Sequence, residues 1–282
     1  KSAKMVIDMS HPLATFATLE CSSLGNEGKL KWKRGNAKLR KNTIHLSIPA
    51  GWTCKPWATE CYTHASPING KITDGKEQKF RCYAASMEAV YPNLRKLLWN
   101  NYKALAYHAH EPLELYKLLL STLLPHIKDY YEDHQNLPKV RIFGTSGDFW
   151  HENMYLACVA MAKALSPLRV YWYTKAIPLW IKHRNKIPDN LVQNASLGGR
   201  FDNLIHKHKL KYAKVVYSFE EAKNLGLPID KKDELASFTW YSTKRKRSIK
   251  KSTSIKKTRV PWIFQKKSCQ TLKVSSKAYL RD

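Results

Sequence analysis

The sequence predicts an α/β fold, with parallel strands arranged as a partial or distorted (β/α) barrel. Three observations carry this. In the second half of the chain, short apolar segments alternate with helical ones at intervals of about 20–30 residues, the rhythm of right-handed crossovers on a parallel sheet. The residues that follow each apolar segment are polar or glycine-rich, as expected where ligands gather at the carboxyl ends of strands. The chain of 282 residues, 43% hydrophobic and 25% charged, is long enough for one or two real cores.

Taken in order, residues 1–42 read as a basic N-terminal extension, 43–236 as the β/α core and 237–282 as a basic, flexible tail. KMVIDMS near the start reads as a strand. LKWKRGNAKLRKN reads as a loop or hairpin whose Lys31, Lys33, Arg34, Lys38, Arg40 and Lys41 either contact phosphates or form a solvated basic surface. NTIHLSIPA alternates apolar and polar residues, a strand from about Asn42 to Ile48 that Pro49-Ala50-Gly51 ends. A long irregular loop follows, with Asn69-Gly70 and Asp74-Gly75 as turn signals. The stretch from Tyr83 to about Ala109 is helical with a break near Pro92. Pro112 to Tyr131 forms a second helix with Leu115, Leu118, Leu119 and Leu123 as a core-facing stripe.

The strands KVRIFGTS, RVYWYTK, NLVQNAS and KVVYS then alternate with helices MYLACVAMAKAL, PLWIKHR, DNLIHKH and FEEAKNLG. With the strand after Asn42 this makes at least five. Their ends nominate Ser146, Gly147 and Asp148, then Thr174 and Lys175, then Ser196, Gly198, Gly199 and Arg200 as residues around a cofactor. In this reading Gly147 lets backbone approach a ligand and Asp148 takes an amine or hydroxyl. Gly198, Gly199 and Arg200 surround a phosphate or carboxylate at a helix start. The bland alternatives are an ordinary turn at 146–150 whose Asp148 caps the next helix, a surface Lys175 and a loop whose Asp202 caps the next helix. His206 and His208 belong to an exposed helix face.

Three of the six cysteines, Cys54, Cys61 and Cys82, fall in the loop after the first core strand or at the start of the next helix. Such a loop can hold an iron–sulfur cluster on three thiolates, leaving one iron of a [4Fe–4S] cluster open to a small molecule. Two other readings stand beside it: a zinc site with His64 as fourth ligand, or one disulfide and a buried thiol. The spacing C-x6-C-x20-C fits no standard zinc finger.

Charge points elsewhere. Lys and Arg total 49 against 22 acids, a formal net charge of +27, which implies a polyanionic partner, nucleic acid above all. About half of the excess lies from Lys244 to Asp282, where fourteen basic residues meet one acid. Lys244, Arg245, Lys246, Arg247, Lys250 and Lys251 read as an arm laid along phosphates, and PWIFQ as an anchoring interruption. The opening KSAKMVIDMSHP lacks the apolar run of a signal peptide, and no segment approaches the roughly 20 apolar residues of a membrane span. The expected setting is cytoplasmic and the partner no membrane.

NAKLRKNTIHLSIPAGWTC, GKITDGKEQKFRCYAAS, VRIFGTSGDFW, YTKAIPLWI, NASLGGRFDNLI and KVVYSFEEAKNLGLPID resemble the phage "gene product 88" family over about Asn36 to Asp230, with the basic tail outside the likeness. The resemblance implies a phage protein, in the host cytoplasm, and no settled biochemical role; a place in a larger phage or nucleoprotein assembly suits the tail. More distantly, the layout is similar to radical S-adenosylmethionine (SAM) enzymes. Those carry three cluster cysteines after the first strand of a TIM-barrel-like partial barrel and a glycine-rich motif at the end of the second. That likeness implies a [4Fe–4S] cluster on Cys54, Cys61 and Cys82, SAM held by Ser146, Gly147 and Asp148, and a nucleic acid or nucleotide substrate. The cysteine spacing departs from the compact C-x3-C-x2-C of those enzymes, and Asp148 replaces their glutamate.

Overall fold

The structure, a computed structural model, describes residues 29–36, 39–216, 218–226, 229–230 and 262–264. Its frame is an eight-stranded mixed sheet. Strands β1 (Lys33–Arg34) and β2 (Thr43–His45) make an antiparallel hairpin. From β2 the sheet continues through β5 (Lys139–Arg141), β6 (Val170–Thr174), β7 (Leu191–Ser196) and β8 (Tyr212–Val215), each parallel to the one before. These are the five strands the sequence predicts, in chain order. Strand β10 (Trp262–Phe264) adds antiparallel to β8 and to β9 (Ile229–Asp230). The expected anchoring segment in the basic tail is therefore a sheet strand. The sheet runs from β1 to β9 without these edges meeting among the described residues. The strand predicted in KMVIDMS, together with Lys38 and Lys244 to Lys251, lies outside the described residues.

The loop after β2 is not irregular throughout. It contains a second sheet, the hairpin β3 (Thr63–Ala65) and β4 (Ile72–Asp74), paired from Thr63↔Asp74 to Ala65↔Ile72. Asn69-Gly70 lies in its turn, and Gly70 adopts φ of 74°. Helices α1 (Tyr83–Val90) and α2 (Pro92–Tyr107) follow. Their division falls at Tyr91 because Pro92, with no N–H to give, begins a helix more readily than it continues one. Helix α3 (Pro112–His134) also starts on a proline and ends on Gln135, which is left-handed at φ of 53°. The shorter helices α4 (Glu152–Ala164), α5 (Ile177–Lys182), α6 (Asp202–Lys207) and α7 (Phe219–Asn224) occupy the predicted crossovers.

The two faces of the sheet differ. On one, Ile44, Leu46, Val140, Ile142, Val170 and Trp172 pack with the α3 stripe Leu115, Leu118, Leu119 and Leu123, and with Met154, Cys158 and Met161 of α4. A fully buried leucine here contributes about 2 kcal/mol, so this layer fixes where the carboxyl ends of the strands lie. Gln193 is polar on this face but satisfied at its oxygen, which accepts from Tyr155 Oη at 2.8 Å and Trp172 Nε1 at 3.0 Å. The opposite face carries His45, Arg141, Tyr171, Tyr173, Asn194 and Ser196, since the register sets His45 beside Arg141, Arg141 beside Tyr171, and Tyr173 beside Asn194. Among the described residues no helix is long and apolar enough to cross a membrane.

Candidate functional site

The carboxyl edge of the parallel strands is bound to the cysteine loop by a series of local hydrogen bonds. Ser47 Oγ lies 2.9 Å from Thr145 Oγ1, and Ser146 Oγ donates to the Ile48 carbonyl at 2.7 Å. Thr53 Oγ1 donates to the Pro49 carbonyl at 2.7 Å and accepts from Asp148 N at 3.2 Å. Trp57 Nε1 donates to the Phe149 carbonyl, and Tyr83 Oη donates to the Thr145 carbonyl at 2.6 Å. Further along, Thr59 N and Glu60 N donate to the Gly198 carbonyl. The loop therefore spans from the end of β5 to the end of β7.

These ties bring the three cysteines together. Cys54, Cys61 and Cys82 line one cavity of about 150 Å³ with Ser146, Gly147, Asp148, Lys175 and Ser196. Cys54 starts a tight turn, its carbonyl accepting from Trp57 N at 3.0 Å and Ala58 N at 2.8 Å. Cys61 and Cys82 flank the β3–β4 hairpin, and Cys82 N donates to Thr63 Oγ1 at 3.3 Å. All three are half-buried free thiols, as Cys158 is a buried one.

Their electrostatics are mutual. Burial pushes the Cys54 thiol far above its ordinary range, and then Asp148, Cys82 and Cys61 oppose its ionisation. Cys82 is pushed up to about 12 by burial and next by Cys61. Cys61 is raised by burial, with the Lys175 ammonium pulling the other way. Three neighbouring thiols that hinder one another's ionisation are a poor nucleophile, and a bound cation reverses that balance by holding them as thiolates. Among the described residues, no group of three or more His, Cys, Asp or Glu side chains is set to hold a metal ion. His64, the fourth ligand of the zinc reading, packs at 4.5 Å from the Trp52 ring and 5.8 Å from Tyr62 and does not line the cavity.

The strand-end residues divide by what already occupies them. Asp148, 4% exposed, accepts from Phe149 N at 2.8 Å and Thr174 Oγ1 at 2.6 Å on Oδ1, and from Lys175 N at 2.7 Å on Oδ2. Burial lifts it to about 6 despite these donors. The N-cap of α4 is His151, not Asp148. Thr174 lies behind Asp148 and is absent from the cavity lining. Lys175 is no surface lysine. It is buried, and its ammonium donates to Ser196 O at 2.9 Å, Ser196 Oγ at 3.0 Å and the Leu197 carbonyl, so its three protons are spoken for.

Gly147 has φ of 94°, and a Cβ there would fall 2.2 Å from Ile48 Cγ1. The glycine is needed for the approach of the chain to Ile48, rather than to a ligand. Gly198 N and Gly199 N donate to the Asp202 carboxylate at 2.8 and 3.0 Å. The N–H groups expected to bind a phosphate thus hold the chain's own carboxylate, and Asp202 folds back instead of capping. Arg200 is exposed, with its N–H on the Trp57 carbonyl at 2.8 Å. Of the basic residues, Lys31, Lys33, Arg34, Arg40 and Lys41 are exposed, and Arg34 pairs with Asp133 at 3.2 Å.

The sequence reading missed the polar sheet face next to this cavity. Arg141 and Tyr173 line the cavity, and the Arg141 guanidinium sits 5.0 Å from the Tyr173 ring and 5.6 Å from that of Tyr171. His45 is drawn down to about 4 by burial and then by Arg141. Asn194 is fully buried, and neither end of its amide has a partner. The signal was present: polar residues at every second position of strands otherwise rich in β-branched and aromatic residues.

Glu88 of α1 was missed too. It is fully buried; one oxygen accepts from Ala50 N at 2.7 Å, at the entrance to the cysteine loop, and the other has no partner. Burial raises its carboxyl from 4.5 to about 7, against the Ala50 N–H and Arg95. The folded chain therefore keeps a proton where the unfolded chain has lost it. The associated stability is whole below about pH 4.5 and is lost as pH rises through 7, on the order of 3 kcal/mol. Urea midpoints are expected to show the parent losing stability relative to Glu88→Gln between pH 5 and pH 8, a comparison in which Asp148, which acts in the same sense, and His45, which acts in the opposite sense, cancel.

The family model described as Gene product 88 matches residues 29–277, most of the chain. The chain belongs to the Gene product 88 family. The match extends past Asp230 into the basic tail and takes in the residues of β10, wider than the likeness read from the motifs. No curated protein and no solved structure matches.

Proposed function

We propose that this protein is an iron–sulfur protein whose cluster is held by Cys54, Cys61 and Cys82 at the carboxyl edge of the sheet. The observation that carries the reading is that three thiols separated by 6 and 20 residues line one cavity with the Ser146–Asp148 turn. A multi-iron cluster takes each thiolate on a different iron, so it does not require ligands converging on one point as a single zinc ion does. The cavity's 150 Å³ is below the ~300 Å³ at which small-molecule pockets begin, a size that favours a compact inorganic group.

When bound, a three-cysteine cluster would supply one-electron transfer and an iron open to a small ligand; for SAM, the ligand of the radical-SAM-like extension of this reading, the cavity of about 150 Å³ would have to widen. The chain's own residues do the positioning. Lys175 offsets thiolate charge at Cys61. Asp148 Oδ2 accepts one bond and is the oxygen left for a ligand amine. The polar face, through Arg141 and Tyr173 in the cavity lining, would form the inside of a partial barrel and meet the substrate. Anaerobic reconstitution with iron and sulfide tests the reading: about four irons and four sulfides per chain, with charge-transfer absorbance, are expected. A colourless, iron-free product would end it.

The net charge of +27 supports a second reading, a nucleic-acid-binding protein with or without a structural metal.

A further inference from the structure

A second cavity, of about 440 Å³, lies on the outer side of the cysteine loop, between the tip of the β3–β4 hairpin and helix α2. Asn93, Lys96, Asn100 and Lys103 line it at intervals of three, four and three residues, one continuous stripe on a helix. No acidic residue lines it.

Two groups at its base are built in rather than merely exposed. Arg95 is 7% exposed; its Nε donates to the Pro67 carbonyl at 3.3 Å, and Nη1 to the carbonyls of Glu88 at 2.6 Å and Ala89 at 3.4 Å. Those bonds fix the guanidinium plane and leave Nη2 for the cavity. The Trp99 indole N–H is enclosed and has no partner. The Trp99 ring meets Trp52 at 5.9 Å and Tyr102 at 5.5 Å, and Trp52 is 41% exposed.

We infer that this groove binds single-stranded nucleic acid, with phosphates on Lys96, Lys103 and Arg95 and a base against Trp99, the indole in the groove wall. A fixed guanidinium and two lysines without an acid in the lining select phosphate, and a half-buried indole selects an unstacked base over one held in a duplex. The ligand class rests on the nucleic-acid reading of the charge; the location rests on the groove alone and needs no cluster.

The test uses the full chain and a fluorescent oligothymidylate. Lys96→Ala with Lys103→Ala, both on exposed side chains, is compared with Lys244→Ala with Lys250→Ala, which removes the same charge from the tail. The groove pair is expected to weaken binding about tenfold and to lower the slope of log K against log salt by about 1.4, at about 0.7 per phosphate contact on a single strand. The tryptophan quenching that the oligonucleotide causes is expected to need about tenfold more oligonucleotide in the groove pair, and no more in the tail pair than in the parent. Binding by the parent with equal losses in the two pairs would remove the groove and leave the charge reading standing. Absence of binding by the parent would remove both, and equal affinity for duplex would remove the single-strand assignment.

Discussion

Serine at any one of Cys54, Cys61 or Cys82 is expected to reduce the iron of the reconstituted protein by most of its value, whereas Cys158→Ala keeps it. The contrast is strong because the four free thiols among the described residues differ in place, not in type. Three line the cavity beside Asp148, and Cys158 is buried in the helical layer against the sheet. Losing one of three thiolates leaves two ligands, too few to anchor a cluster that already lacks a fourth. Truncating Cys158 removes a small apolar contact, a cost of about 1 kcal/mol. Iron analysis and visible absorbance on the four variants read the result, with thermal midpoints confirming that each has folded. Equal iron in all four would show that the metal sits elsewhere.

Of the two glycines that line the cavity, Gly147 and Gly144, Gly147→Ala is expected to be the more damaging change. The added carbon would meet Ile48 Cγ1 at 2.2 Å and the Ile48 carbonyl at 3.2 Å, on a backbone at φ of 94° that side chains rarely adopt. Strain and overlap together cost on the order of 3–4 kcal/mol. Ile48→Ala alone loses core packing, yet it removes the colliding atom. The double variant should then be less damaged than the sum of the two by more than about 1 kcal/mol, a coupling that a denaturant-unfolding cycle measures. Additive losses would mean that Gly147 matters for another reason.

Much of the fold was legible because it rests on periodicity. The five parallel strands and the break before Pro92 follow from apolar runs, glycine-rich ends and a missing N–H, all of which are local. The hairpin inside the cysteine loop was not legible: Thr63–Ala65 and Ile72–Asp74 are three residues each, too short for alternation to register. At the site, residue type alone did not show which partners within the chain these residues take. Lys175, Gly198 and Gly199 have the chemistry of anion contacts, but Ser196, Leu197 and Asp202 already satisfy them. Whether a polar group faces a ligand or its own chain depends on long-range placement, which spacing does not encode. Arg141 and Asn194 were overlooked for the opposite reason: they sit within strands, where attention goes to the apolar positions.

The β3–β4 hairpin makes the twenty-residue interval between Cys61 and Cys82 far shorter in space than along the chain. Its two legs leave from and return to the cysteine cavity, while its tip at Pro67 and Ile68 walls the groove beside α2. Residues gained or lost at that tip would reshape the groove and leave the sulfur geometry in place. A change of length at the tip would alter the number of residues between Cys61 and Cys82 without parting the two thiols, so their distance along the chain is no measure of their distance in space.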